Sequence, residues 1–506
     1  MLTRRFSTSI RHYKKFKYDP NYKFKCGLEI HTQLKTKHKL FSLSETSFNA
    51  PPNTKISYFD VGLPGSQPKL NPEALYLALK AAVVFDCDIQ EFSTFDRKHY
   101  FYPDQPLGYQ ITQHYHPVAK NGQIVLDPKF DNVKTSKTIR IEQLQIEQDT
   151  GKTVNFDDKI TIDLNRSNTP LIEVVTKPDF EDIKQVHSFV KKYQLLVSYL
   201  GICSGDLETG AIRVDANINV NDHPRAEIKN LGNTSDIVNA LQYEYNRQIS
   251  ELEKGNQLVQ ETRGWDGRKT RTLRTKEDAL DYRYVPDSEL EAIRLSKNIS
   301  KEIKESLPDL PDKVLEKLTN EPYQLSLDLS KFLLNSPPIL EYYYKFFHRF
   351  TEELKQTSKS ANNWIFQELF ASFAKSQVNF DVDIISSDRL FDITKAISDG
   401  QLSLVAGRIL LKYLIKNPQC AAQPLQEIIE DLDLEKPQGV SAEELNDAVT
   451  ELCEHIIESN PAFVDKIRQG NTKVIQALVG SAMKASKGKI HATEFRAKFD
   501  ELLNVK

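Results

Sequence analysis

The stretch CGLEIHTQL, residues 26 to 34, sets Glu29 and His31 on alternate positions of a segment whose intervening residue, Ile30, and preceding residue, Leu28, are apolar. Side chains at i and i+2 of a strand share a face, so the carboxylate and the imidazole project together while Leu28 and Ile30 enter a core. One oxygen ligand and one imidazole suit a divalent cation, but two ligands do not hold a metal, and further acids must come from elsewhere in the chain. Taken alone, the pair reads more readily as a solvated strand face.

Further acids exist in strand-like settings. Glu147, Glu173, Asp215 and Glu227 each sit among apolar neighbours, in the stretches IEQDTGK, PLIEVV, AIRVDANINV and AEIKNL. A carboxylate flanked by residues that must be buried is expensive unless it is paired, hydrogen-bonded or bound to a cation. Each acid singly is an ordinary salt-bridge partner; together with one histidine they would make an oxygen-rich site, which suits Mg²⁺ better than zinc. Lys98, in DRKHY, is a flexible ammonium able to meet a triphosphate, or else a partner for Asp96. The GKT at Gly151 to Thr153 is not a phosphate loop, because Ile stands at 146 where that turn needs glycine. YFYPDQPLGYQITQH offers rings to stack and amides to hydrogen-bond, or an aromatic loop packed on a core.

These groups need elements to position them. TIRIEQLQIEQD, TIDLN, PLIEVVT and AIRVDANINV read as strands. Ile183, Val186, Val190, Tyr193 and Leu196 recur at helical spacing, with Asp179 as the expected cap and Gly201 as the stop. From about residue 296 strand signals thin out and amphipathic helices follow, as in SPPILEYYYKFFHRFTEELK and SDRLFDITKAISDG. The expected class is α+β: a mixed-sheet N-terminal domain over 19–295, a helical domain over 296–417, and a helical tail over 418–506 beyond the break at NPQCAAQPLQ. A chain of 506 residues is too long for one ordinary core.

Bulk properties exclude several classes. With 39% hydrophobic and 27% charged residues and a net charge of −3, neither disorder nor a chain-wide basic field is indicated, so nucleic acid would be met by local patches. No apolar run approaches the roughly 18 residues that span a bilayer. The 5 cysteines, Cys26, Cys87, Cys203, Cys420 and Cys453, form no C-x-x-C pair, which argues against zinc knuckles and a disulfide framework. Residues 1–18 carry Arg4, Arg5, Arg11, Lys14, Lys15 and Lys17 and no acid, the composition of a mitochondrial presequence or, alternatively, of a basic arm touching RNA.

The motifs GLEIHTQLKTK, GLPGSQPKLN, FDRKHYFYPDQPLGYQITQ, DLNRSNTPLIEVVTKPD, GDLETGAIRVDAN, ETRGWD, DYRYVPD and LVGSAMKASKGK resemble, in this order, the B-subunit family of glutamyl-tRNA(Gln) amidotransferases in its mitochondrial fungal form. The resemblance runs from about residue 25 to the end. It implies an N-terminal catalytic domain with a cradle-like sheet and an ATP- and Mg²⁺-dependent activity in the mitochondrial matrix. In that reaction the γ-carboxylate of glutamate on mischarged Glu-tRNA(Gln) is phosphorylated and then amidated to Gln-tRNA(Gln). The implied partners are an A-type amidase subunit, which supplies ammonia from glutamine, and a small third subunit of C or F type. No amidase Ser or Cys arrangement is evident in this chain, in keeping with that division of labour.

By resemblance, Glu29, His31, Glu173 and Glu227 match metal-ligand positions, Lys98 matches the lysine near the ATP phosphates, and Lys98 and Glu173 are the catalytic pair. Where bacterial members read HLEEDAGK this chain reads QIEQDTGK, so Gln148 stands at an acidic position assigned to the metal. Either Glu147 takes over or the site is looser, and a non-catalytic tRNA-binding scaffold is the alternative. Bacterial zinc-binding cysteine pairs near YFDVGLPG are absent, so no zinc is expected. In the tail, Ile475, Leu478 and Ala482 form an apolar stripe, while Lys484, Lys487 and Lys489 gather near Gly488 as the expected tRNA contact.

Overall fold

The computed structural model describes residues 18–155, 157–275, 282–435, 442–468 and 471–503. All but the last residue of the expected presequence lie outside these. The chain divides between Val314 and Leu315 into two compact units.

The first unit is built on a nine-stranded sheet. Its strands are β1 (Phe24–Gln33), β2 (Asp88–Ile89), β5 (Ala119–Leu126), β6 (Lys137–Gln148), β7 (Pro170–Thr176), β8 (Ile212–Val220), β9 (Ala226–Leu231), β10 (Glu261–Trp265) and β11 (Thr270–Thr275). Their order is β11-β10-β9-β8-β1-β7-β6-β5-β2. The β9–β10 pair is parallel while β1 is antiparallel to both its neighbours, so the sheet is mixed and the unit is α+β. Two further strands, β3 (Asp96–His99) and β4 (Tyr109–Thr112), belong to a small three-stranded sheet with Val285–Pro286.

Alternation decides what each sheet face carries. Leu28, Ile30, Ile146, Ile172, Val174, Val214 and Ala216 pack with Ala78 and Ala82 of helix α1 (Pro72–Val84) and with Val186, Phe189, Tyr193, Ile237 and Leu241 of α2 (Ile183–Tyr199) and α3 (Thr234–Glu253) in one apolar core. Their neighbours along each strand point the other way and are polar except for Gly27, Leu171 and Val175. The α2 helix covers the residues whose spacing foretold it, but it starts later than expected: Asp182 caps it, accepting from Lys184 N at 2.7 Å. Asp179, three residues upstream, is instead taken by Arg140 in a fork with 2.6 and 2.9 Å contacts. Asp182→Ala should therefore lower stability by about 1 kcal/mol, read from the urea midpoint, while Asp179→Ala leaves the helix start intact. Gly201 follows the helix with φ +66°, the left-handed conformation that glycine adopts without strain.

Among its described residues the second unit's regular elements are all helices, including Pro337–Glu352, Ser387–Ser398, Leu404–Lys416, Ala442–Ser459, Ile475–Ala485 and Ala492–Leu502. Ile475, Leu478 and Ala482 are buried with Val449, Cys453, Phe495 and Phe499 in a small core of their own. No helix among the described residues is long and apolar enough to cross a membrane.

Candidate active site

The polar sheet face is made by register. On β1, His31 lies opposite Glu173 of β7 on one side and Arg213 of β8 on the other, and Glu29 lies opposite Asp215. On β6, Gln145 lies opposite Glu173 and Glu147 opposite Leu171. Strand alternation thus gathers side chains from segments more than a hundred residues apart onto one floor. The floor lines a cleft of about 1000 Å³ bounded also by Lys98, Tyr100, His114, Tyr282 and Tyr284.

At its centre His31 Nε2 is 3.7 Å from Glu147 Oε1 and 3.7 Å from Glu173 Oε1. One ligand atom from each of the three lies within 4.8 Å of the others. Glu147 is 2% exposed; Gln110 donates to its Oε1 at 2.8 Å, while its buried Oε2 makes no hydrogen bond of ordinary geometry among the described residues. Gln145 donates to Glu173 Oε2. Burial, reinforced for Glu147 by the Glu173 charge, pushes both carboxyls above the usual carboxylate range. Burial also drives the His31 imidazole down and leaves it neutral, the form that coordinates metals. Two carboxylates and a neutral imidazole, with one carboxylate oxygen making no hydrogen bond of ordinary geometry among the described residues, fit a hard divalent cation that keeps several water ligands, as Mg²⁺ does.

Glu29 borders this trio. Asn217 donates to its Oε1 at 2.9 Å, and burial together with Glu173 and Glu227 pushes its carboxyl up to about 7. Glu227 lines the same cleft, but its oxygens are engaged: Lys229 stands 2.9 Å from Oε1, and the Thr262 hydroxyl donates to Oε2 at 2.9 Å. Burial is the largest influence on Glu227 and would raise it, yet Lys229 prevails and the group is held below the usual range. Lys229 also bonds Asp215 at 2.8 Å. Lys98 enters from β3 with its ammonium 4.9 Å above the Tyr282 ring. Burial alone would lower its pKa; Glu147 and Glu173 outweigh that and hold it charged.

Gln148 does not belong to this set. Residues 147 and 148 face opposite sides of β6, and the Gln148 amide oxygen accepts from Ile111 N at 2.8 Å, tying β6 to β4. Glu147 occupies the place beside His31 and Glu173. Sequence reasoning also passed over Arg213, Asp149 and Lys229, although the alternation of AIRVDANINV that exposed Asp215 puts Arg213 on the same face.

The GatB/GatE catalytic-domain family matches residues 24–301, the residues that build this cleft, and the GatB-domain family matches residues 345–503. The chain belongs to the B-subunit family of glutamyl-tRNA(Gln) amidotransferases. It is 60% identical over 497 residues to the mitochondrial glutamyl-tRNA(Gln) amidotransferase B subunit of Candida albicans strain WO-1, covering 98% of this chain and 99% of that one. The proteins of the same name from Scheffersomyces stipitis and Debaryomyces hansenii are 56% and 53% identical, with 99% and 96% of both chains covered. Membership of the B-subunit family places the matched catalytic region on the sheet unit and the second match on the helical unit.

Of the tail lysines of this B-subunit chain, Lys484 is exposed on the last turn of the helix ending at Ala485. After it the chain turns through Gly488 at φ +71° and doubles back. Lys489 bonds Asp433 at 2.5 Å, and Lys487 donates to Leu432 O at 3.1 Å. Two of the three expected RNA contacts thus also serve the helical unit's own packing.

Proposed function

We propose that this chain is the ATP-using subunit of a mitochondrial amidotransferase that converts Glu-tRNA(Gln) to Gln-tRNA(Gln), with an amidase subunit and a small third subunit as partners in the matrix. A γ-carboxylate oxygen of the esterified glutamate attacks the γ-phosphorus of ATP and ADP leaves. The nitrogen of ammonia then attacks the acyl carbon of the resulting acyl phosphate, phosphate leaves, and a proton is released. The observation that carries this reading is the convergence of His31, Glu147 and Glu173 beside Lys98 on the floor of one cleft.

Two anions must meet in this reaction on a floor already rich in carboxylates, so positive charge is the first requirement. His31, Glu147 and Glu173 would hold Mg²⁺, with Glu29 beside them. When bound, the ion supplies the charge that offsets the nucleotide phosphates. Lys98 adds a fixed ammonium from the cleft wall, and Gln145 and Gln110 hold the two glutamate side chains in place. Tyr100, Tyr282 and Tyr284 line the cleft beside Lys98. The helical tail over 418–506, with Lys484 exposed, is the part we assign to tRNA backbone contact, and residues 1–18 to import.

The scaffold alternative rested on Gln148 having replaced a ligand, and Gln148 faces away from the cluster. Lys98→Met in the reconstituted complex should lower tRNA-dependent ADP release by roughly 10²-fold, the scale of losing one preorganised charge, while glutamine hydrolysis persists. ADP release equal to that of the unmutated complex would overturn the role given to Lys98; no release from the unmutated complex would overturn the whole reading.

A further inference from the structure

Arg213 sits on the same floor without a role in the ligand cluster. Its Nη2 donates to Asp149 Oδ1 at 2.9 Å, and Asp149 is itself pinned by Gln33 at 3.2 Å and by Thr150 N at 2.9 Å. Asp149 is 2% exposed, so this anchor is fixed inside the protein. The Arg213 side chain, by contrast, retains 37% exposure and lines the cleft. Its Nε is buried with no hydrogen-bond partner among the described residues. A guanidinium carries five donors, and the hydrogen bond it makes among the described residues is the one from Nη2 to Asp149. Apart from the buried Nε, the remaining guanidinium donors face the cleft, where an oxyanion arriving with the substrate can take them in place of water.

Resting on the reaction proposed above, we infer that Arg213 is an oxyanion clamp for the reacting pair. Anchored by Asp149 and opposite His31 in the strand register, its planar fork takes an oxygen pair, either of the glutamyl γ-carboxylate or of the γ-phosphoryl group. A planar fork matches both chemistries; a lysine ammonium, a point charge, matches neither in two-point fashion. The clamp places the bound oxyanion beside Glu173 and His31, where the carboxylate and phosphorus must meet.

The test uses the whole complex with its amidase and third subunits. Arg213→Lys keeps the charge and the ion pair to Asp149 but removes the fork. It should lower kcat/KM for tRNA-dependent ADP formation by about 10²-fold, with the melting temperature and glutamine hydrolysis unchanged. A raised KM for Glu-tRNA(Gln) assigns the clamp to the carboxylate, and a raised KM for ATP assigns it to the phosphoryl group. Arg213→Ala should regain part of its rate with added guanidinium ion and none with methylammonium. Rates for Arg213→Lys equal to those of the unmutated complex would overturn the clamp, as would an Arg213→Ala variant indifferent to guanidinium. Failure of the unmutated complex to form ADP would instead overturn the reaction on which the clamp depends.

Discussion

Glu147→Gln and Glu173→Gln should each depress tRNA-dependent ADP formation by about 10³-fold, the loss of roughly 4 kcal/mol of transition-state stabilisation, and should weaken Mg²⁺ or Mn²⁺ binding measured by calorimetry. The amide keeps each side chain's size, so the change removes charge rather than packing. The same cluster sets a pH dependence. Glu29 is raised from the ordinary 4.5 to about 7 by burial and by Glu173 and Glu227, so the folded protein binds its proton more tightly than the unfolded chain. Its contribution to stability is fully present below pH 4.5 and is lost as pH rises through about 7, an effect of about 3 kcal/mol for one group. Glu147 and Glu173 are raised as well and act in the same direction. A divalent cation needs these carboxylates ionised, so its binding should release protons and tighten as pH rises, recovering the stability that the metal-free protein loses. Urea midpoints measured with EDTA and with Mg²⁺ across this range check the prediction; parallel curves would contradict it.

The floor of the cleft was legible in the sequence to the extent that alternation writes it locally. Glu29 and His31 share a face because they are two apart on β1, and the PLIEVV acid follows the same rule. What alternation cannot supply is which strands become neighbours. The pairing of β1 between β7 and β8 joins residue 31 to residues 173 and 213, and only then does Arg213 become a cleft residue. The motif leaves Glu147 and Gln148 as alternatives, and strand phase separates them: Gln145 and Glu147 face the cleft, while Gln148 turns from it to accept from Ile111 N. The start of α2 slipped from Asp179 to Asp182 for a related reason. Both are capping residues by type, and the distant Arg140 claims the first. For the tail lysines, local charge predicted availability, while Asp433 and Leu432, more than fifty residues upstream, engage two of them.

A second large effect is expected away from the cleft, at Lys39. Its ammonium lies 3.1 Å from Asp60 Oδ2, and neither side chain is exposed at all. Asp60 also accepts from Ser42 Oγ at 3.0 Å, Asn168 Nδ2 at 2.9 Å and Ser57 N at 2.8 Å. This pair locks the YFDVGLPG loop against the turn that leads into β7, where Leu40 N donates to Asn168 O at 2.9 Å and Leu34 N to Pro170 O at 2.9 Å. Glu173 follows on that strand, so the loop's anchor and the cluster share a support. Burial is the largest influence on Lys39 and lowers its pKa against the pull of Asp60, a sign that desolvation is only partly offset. Lys39→Ala strands a buried carboxylate and should cost about 3–5 kcal/mol, read as a lower urea midpoint for the sheet unit. Lys39→Met with Asp60→Asn removes both charges at nearly constant volume and should recover most of that loss. The remaining donors from Ser42, Asn168 and Ser57 meet an amide less fully than a carboxylate, but no ion is left unpaired. If Lys39→Ala alone unfolds at the unmutated midpoint, the loop is held by its backbone hydrogen bonds and the ion pair contributes nothing to the floor of the cleft.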